Sequence, residues 1–322
     1  GLVGSEMCIR DSTYTHQFPN SGTEQTYTVS VSGLGFGLAA WVVLGLLDLS
    51  NLFNLIAVSV FTFGLIGSGL LSSTLHLGHP ERAWRALSQW RSSWLSREGV
   101  LSVIVLITLS GWFLYTFMYG TPPQWVGFVI FIIILVTVYA TAMIYASLKT
   151  VLCWYNPLTP FCYLMFAACG GLLANLFLMS IFGQYTSPSI YYFLSFLILS
   201  TWLVKFAWWR NLDTNISKSN LATATGLGSF GEIRSLMPPH TSENYLQKEM
   251  GFVIARRHAI KLRIISVILG GIVPLGIISL GFSSSVLLGF ALVSHLIGVF
   301  IERWLFFAEA KHIVSLYYGK SI

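Results

Sequence analysis

The sequence predicts an all-α fold, a polytopic membrane bundle of eight transmembrane helices, and three observations carry that prediction. Charged residues make up 9% of the chain and hydrophobic ones 55%. A soluble domain carries about 25% charged residues, so most side chains here must meet lipid or one another. Apolar segments recur near 28–48, 52–75, 99–119, 125–148, 161–183, 189–208, 264–282 and 286–308; each is about 20 residues, enough to cross a ~30 Å hydrocarbon core as helix. Finally, the 18 Lys and Arg residues fall on one side of the resulting alternation of linkers.

Residues 1–12 have no periodicity and no signal-peptide layout; they resemble translated adaptor sequence, and we read them as non-native. With the polar residues that follow they form a tail over 1–25, ahead of an anchor domain over 26–322. Glycines inside the spans (Gly33, Gly35, Gly37, Gly64, Gly67, Gly69, Gly170, Gly171, Gly270, Gly271) allow close helix approach, and Pro274 is tolerated in a membrane helix. The first span is short and glycine-rich.

The linkers at 49–51, 121–124, 184–188 and 282–285 contain no Lys or Arg. Arg10, Arg82, Arg85, Arg91, Arg97, Lys149, nine basic residues between 205 and 263, Arg303, Lys311 and Lys320 all lie on the other side. The positive-inside rule then places both termini and the long linker 209–262 in the cytoplasm. Within that linker, Gly226, Gly228 and Gly231 form a Gly-x-Gly-x-x-Gly, but no strand precedes it and no βαβ pattern surrounds it, so a nucleotide site fails its context test. A docking loop with Pro238, Pro239 and His240, followed by a basic helix near 244–263, is the reading that remains. Cys8, Cys153, Cys162 and Cys169 form no Cys-x-x-Cys pair, which excludes zinc-ribbon and iron–sulfur motifs and leaves no metal site; Cys162 and Cys169 read as small packing residues.

The ionisable residues gather at the basic side. His76 closes the second span, Glu98 opens the third, and Arg82, Arg85, Arg91 and Arg97 lie between. Histidine titrates near neutral pH, and a carboxylate at a low-dielectric boundary can approach that range. Two readings stand: His76 and Glu98 exchange protons beside a redox-active quinone, or Glu98 pairs Arg97 or Arg85 and His76 caps a helix. Lys205, Glu302, Arg303 and Glu309 converge on the same leaflet; Lys205, Glu302 and Arg303, together with His295, are read as lining for a pocket there, with snorkelling interfacial charges as the alternative. His295 is the one histidine well inside a span, where it reads as a residue hydrogen-bonded between helices; so few membrane-depth histidines predict no haem. Trp84, Trp90, Trp94, Trp154, Trp208, Trp209 and Trp304 sit at that level too, and most read as an interface belt.

Ser73-x-x-His76-Leu77-Gly78-x-Pro80-x-Arg82-Ala83-Trp84, followed by Ser93-Trp94-Leu95-Ser96-Arg97-Glu98, resembles the DmsC family, the membrane anchors of dimethyl-sulfoxide-reductase-type enzymes. Tyr145-x-Ser147-x-x-Thr150-Val151-x-x-Trp154-Tyr155 is similar to that family's segment between its fourth and fifth helices. The resemblance implies an eight-helix anchor that exchanges electrons with a membrane quinone, menaquinone or ubiquinone. It further implies docking of an iron–sulfur subunit, which in turn contacts a molybdopterin catalytic subunit. The family's quinone-site histidine and glutamate fall on His76 and Glu98, while Arg82, Arg85, Arg91 and Arg97 suit a partner's acidic surface. The linker motifs at 224–231 and 238–241, with Arg256, Arg257 and His258, and the tail at 303–310 resemble a branch serving cytoplasm-facing sulfite:quinone oxidoreductases, SoeC-like anchors. Substrate chemistry itself then belongs to the partners. The rival readings are a purely structural anchor without a quinone site, and a secondary transporter; the latter calls for discontinuous helices meeting at the midplane, whereas these charges sit at one face.

A reporter active only in the periplasm, fused after Ile322, is expected to be silent; strong activity would reverse the topology.

Overall fold

The computed structural model describes residues 21–75, 80–214, 257–280 and 284–310, with positions 226, 229, 231 and 233 of the linker. The tail over 1–20, His76, His79 and the expected basic helix up to 256 lie outside the described residues, as does the side chain of Arg82. Helix α1 spans Ser21–Val43, α2 Leu52–Leu75, α3 Trp94–Tyr119, α4 Gln124–Ala146, α5 Leu158–Ile181, α6 Pro188–Thr214 and α8 Ser285–Ala308; α7 runs over Ala259–Ser279. A 3-10 helix, Pro80–Gln89, connects α2 to α3. Among the described residues these eight α-helices are each long and apolar enough to cross a membrane, so the protein is a multi-pass helical membrane bundle.

The helix ends follow local chemistry. Prolines stand where a missing N–H is harmless: Pro188 opens α6 and Pro123 precedes α4. The first helix ends five residues before the apolar stretch does. Gly45 adopts φ 82° and its N–H returns to the Val42 carbonyl, which terminates α1 in a left-handed cap. Leu47 and Leu49 continue as a loop yet stay buried; Leu47, an apolar residue without lipid contact, is the part that hydropathy alone read as span. That loop is pinned to the α5–α6 loop by two bonds: the Asp48 N–H donates to Gln184 Oε1 at 3.1 Å, and Gln184 Nε2 donates to the Asp48 carbonyl at 2.7 Å. The Asp48 carboxylate accepts the Ser50 N–H at 3.0 Å, a bond that holds its pKa below the ordinary value.

Helix α1 is the centre of the bundle. Its apolar window is 72% buried, against 28% for α2 and α7, and it touches α2, α4, α5 and α8. Its glycines make this possible. A Cβ on Gly37 would strike the Ala167 carbonyl of α5, and one on Gly171 would strike the backbone of Gly37. On the α2 side, a Cβ on Gly35 would come 2.8 Å from Ile66, and one on Gly69 would come 2.8 Å from Ser32. In lipid, association of this kind rests on van der Waals contact between closely apposed backbones. Trp41 adds a bond from Nε1 to the Ala168 carbonyl at 2.9 Å. The outer surface is apolar: Phe53, Ile107, Phe196, Leu203 and Ile260 are all exposed, as expected of side chains that face lipid tails.

Gly37→Ala should lower stability by about 1–3 kcal/mol, the range for overpacking a close contact, read as a fall in the thermal midpoint of the detergent-solubilised protein. Gly64→Ala, where a Cβ meets nothing within 4 Å, should be neutral; equal effects would remove the central role of the α1–α5 crossing.

Candidate functional site

Glu98 lies in the second turn of α3, at the basic end of the bundle, and is half-buried. Its Oε1 accepts the hydroxyl of Thr141 from α4 at 2.7 Å. Among the described residues it makes no ion pair, and the alternative pairing with Arg97 or Arg85 is not formed. Arg97 is spent on the connection into α3: Nε donates to the Trp90 carbonyl at 3.0 Å, Nη2 donates to the Arg91 carbonyl at 2.8 Å, and the guanidinium lies 4.3 Å from the Trp94 ring centre. Arg85 and Arg91 lean on Trp84 and Trp90 at 5.5 and 5.6 Å; those two tryptophans are 67% and 52% exposed, which leaves the 3-10 segment a surface of alternating cation and aromatic.

Beside Glu98 the wall turns apolar. Trp94, one turn earlier on α3, meets Tyr139 of α4 edge-on at 6.1 Å. Tyr139, Met143 and Ala146 face Tyr155, Pro157, Pro160, Phe161 and Leu164 across a groove of about 490 Å³. Tyr139, Tyr155 and Phe161 are 40%, 51% and 60% exposed, so the groove opens at the outer surface of α4 and α5.

On the inner side of Thr141 lies a second space, a cavity of about 40 Å³ between α1, α4, α5 and α8. Ser30, Thr141, Tyr163, His295 and Arg303 give it polar walls, and Leu34, Phe36, Val138 and Val299 complete it. The sequence explains how His295 comes to face it. Pro274 has no N–H to return to the Gly270 carbonyl four residues back. The Val273 N–H reaches past Leu269 to the Ile268 carbonyl in a π-turn over Ile268–Ile272. Two carbonyls of α7 are thereby freed, and α8 takes both: Ser294 Oγ donates to Leu269 at 2.7 Å, and His295 Nδ1 pairs with Gly270 at 2.7 Å. A carbonyl only accepts, so Nδ1 carries the proton and Nε2 keeps a lone pair. His295 is thus bonded between helices, as its position predicted. A Cβ on Gly170 would lie 3.5 Å from Nε2.

Behind the cavity stands a buried ionic cluster. Glu302 pairs with Lys205 through Oε1, and its Oε2 accepts Arg303 Nε at 2.6 Å. The three are 0%, 1% and 2–3% exposed. Lys205 Nζ sits 3.6 Å from the Trp208 ring centre, and Arg303 Cζ sits 4.4 Å from that of Tyr163. Of the four residues expected to line a pocket, His295 and Arg303 reach the cavity, whereas Lys205 and Glu302 stand behind it as the supporting pair. Glu309 joins a neighbouring pair: Arg263 bonds its Oε1 at 2.9 Å and Asp213 at 2.8 Å. Burial nonetheless pushes the Glu309 carboxyl above the ordinary range, with Arg263 opposing.

Several tryptophans read as interface belt prove to be core. Trp208 and Trp209 are 1% and 5% exposed. Trp208 Nε1 donates to Thr159 Oγ1 at 3.1 Å, and Trp154 Nε1 donates to the Phe306 carbonyl at 2.8 Å. Trp154 stacks on Phe306 at 5.6 Å, with Tyr145 at 5.4 Å from Trp154 and 6.1 Å from Tyr163. Buried cations give these rings partners that an amphipathic belt would find in water. Thr141, Tyr163 and Ser30 escaped the sequence reading because neutral hydroxyls in apolar runs carry no periodic or charge signal; their partners are on other helices.

The sequence profile of the DMSO reductase anchor subunit (DmsC) family matches residues 30–319. The protein is 31% identical over 276 residues to a subunit of the sulfite dehydrogenase of Allochromatium vinosum, an alignment that takes in 79% of this sequence and 82% of that one. It is also 31% identical over 122 residues to a component of the anaerobic dimethyl sulfoxide reductase of Escherichia coli, which takes in 37% of this sequence and 42% of that one.

Glu302→Gln leaves two buried cations without their shared counter-charge and should cost about 3–5 kcal/mol. Asp213→Asn, at a carboxylate 58% exposed, should cost about 0–1 kcal/mol. Thermal denaturation in detergent separates the two; a Glu302→Gln midpoint equal to that of Asp213→Asn would show that the cluster does not hold α6 to α8.

Proposed function

The protein belongs to the DMSO reductase anchor subunit (DmsC) family, and we propose that it is the quinone-reactive membrane subunit of a molybdopterin oxidoreductase complex in the bacterial inner membrane. In this reading it passes electrons between the quinone pool and an iron–sulfur partner, and the basic end with both termini faces the cytoplasm. The observation that carries the reading is Glu98. A carboxylate at the end of a membrane helix, half-buried and without an ion-pair partner among the described residues, is expensive unless it is used. Its neighbours suit a quinone: an apolar, aromatic-walled groove of about 490 Å³ begins at Tyr139, which touches Trp94 one turn from Glu98, within the size range of small-molecule sites.

A bound quinone supplies the chemistry of two electrons and two protons. Glu98 handles a proton at its carboxylate: Thr141 fixes Oε1, which leaves Oε2 to reach a ligand oxygen or water. His76 follows the last residue of α2 in sequence and is the second proton-handling group in this reading. Trp94, set between Arg97 and Tyr139, supports the Tyr139 end of the groove from behind. Arg85 and Arg91, with Arg82, offer guanidinium groups to an acidic partner surface; Arg97 is withdrawn from that role by its bonds to Trp90 and Arg91. The reading includes no haem, because too few histidines lie at membrane depth to supply axial ligands. The long match to the sulfite dehydrogenase subunit, 276 residues against 122 for the sulfoxide reductase component, supports sulfite over a sulfoxide as the substrate of the catalytic partner.

Glu98→Gln keeps the shape and removes the titration. In the assembled complex it should cut quinone-linked turnover by the ~10²–10⁴-fold typical of a lost acid–base group, while turnover with a soluble electron dye that bypasses this subunit persists. Unchanged quinone-linked turnover in both Glu98→Gln and His76→Ala would leave the purely structural anchor as the better account.

A further inference from the structure

Two buried polar atoms that belong to residues lining one space have no hydrogen-bond partner among the described residues, Ser30 Oγ and His295 Nε2, and the Tyr163 hydroxyl and the Arg303 guanidinium, which interact with each other, belong to residues lining the same space. Three of these side chains are more than nine-tenths buried, Tyr163 at 5% exposed, His295 at 1% and Arg303 at 2%. Orphaned groups of this kind in a membrane interior are costly unless something fills the space between them.

Their chemistry says what fills it. The Arg303 nitrogens only donate. In the neutral form that burial between apolar helices favours, His295 Nε2 only accepts, because Nδ1 carries the ring's one proton and donates it to the Gly270 carbonyl. Tyr163 and Ser30 do either. The occupant must therefore accept from Arg303 and donate to His295, which an anion cannot do; a lipid tail can do neither. A quinone ring is too large for about 40 Å³. Water meets both demands, and at roughly 10–15 Å³ of such space per molecule the cavity holds about three.

We infer that the cavity is a water chamber coupled to Glu98 through Thr141, and that it supplies and takes back the proton that Glu98 exchanges. Thr141 is the link because it lines the chamber and donates to Glu98 Oε1 at 2.7 Å. In a transfer, Thr141 Oγ gives its proton to the carboxylate and accepts one from a chamber water, so Glu98 gains what the water cluster loses. The reverse step returns it. The charged and titratable groups around the chamber are Tyr145 of α4, Tyr163 of α5, Lys205 of α6, and His295, Glu302 and Arg303 of α8. Lys205 and Arg303 against Glu302 leave one positive charge on the α6–α8 side of the chamber. The chamber itself is independent of the quinone reading; its service to Glu98 rests on it. Thr141 acts here as a positioning residue.

Radiolytic hydroxyl-radical labelling of the purified complex reads the water directly. Tyr163, 5% exposed, should be modified well above Trp112, which is equally buried and lines no such space. Thr141→Val should lower quinone-linked turnover by about 10-fold or more, the scale of one hydrogen bond to a charged group, and should move its pH profile, with dye-linked turnover kept. Thr141→Ser should restore both. Tyr163 as inert as Trp112 would overturn the chamber. Labelled Tyr163 together with a Thr141→Val enzyme of unchanged turnover and pH profile would overturn the coupling. If instead Glu98→Gln is silent, the quinone reading fails while the labelling result still decides the chamber.

Discussion

Helices in lipid gain nothing from hiding apolar surface, since lipid tails are as apolar as leucine. What holds this bundle is the approach of α1 to α5 at Gly37 and Gly171, close enough that either Cβ would strike backbone. That contact puts α1 in the middle, with α2, α4 and α8 ranged around it. The cavity follows from the same geometry. Its α1 wall includes Ser30, Ser32 and Gly33, small residues beside Val29, Leu34 and Phe36 on the helix that carries the glycine contacts. Larger side chains there would fill it.

The second constraint is electrostatic. A lone ammonium or guanidinium at this depth would be prohibitive, so Lys205 and Arg303 share Glu302, and each cation also lies against an aromatic ring. The aromatic cluster of Tyr145, Trp154, Trp208, Phe306 and Phe307 is thereby more than filler. It is the low-polarity wall that gives the ion pairs their strength, and it joins α6 and α8 to the segment between α4 and α5.

Pro274 shows how one covalent fact propagates. A missing N–H frees a carbonyl, the π-turn frees another, and Ser294 and His295 are drawn to them. The imidazole tautomer is then set, and a lone pair faces the cavity. The features of the basic end thus share one origin: polar groups that cannot reach water have found partners on neighbouring helices, and where they have not, a space remains between them.

The amino-acid sequence alone determined much of this. Eight spans, their order and the one-sided basic residues are legible because hydrocarbon thickness fixes helix length and because charge is too costly to scatter. The family was legible in the run from Ser73 to Glu98, where local chemistry and sequence spacing coincide. The tertiary structure decided the rest. It ended α1 at Val43, with Gly45 as the cap, although the apolar run continues to 48, since Leu47 is buried as loop. It turned Trp208 and Trp209 from belt to core, withdrew Arg97 into the hairpin, and separated Lys205 and Glu302 from the cavity that Arg303 and His295 reach. The bond between Thr141 and Glu98 joins residues 43 positions apart, and no propensity or period encodes it. In a membrane helix nearly every face is apolar, so sequence shows little of which face meets which neighbour; only the packing of helices against one another brings a threonine and a glutamate together.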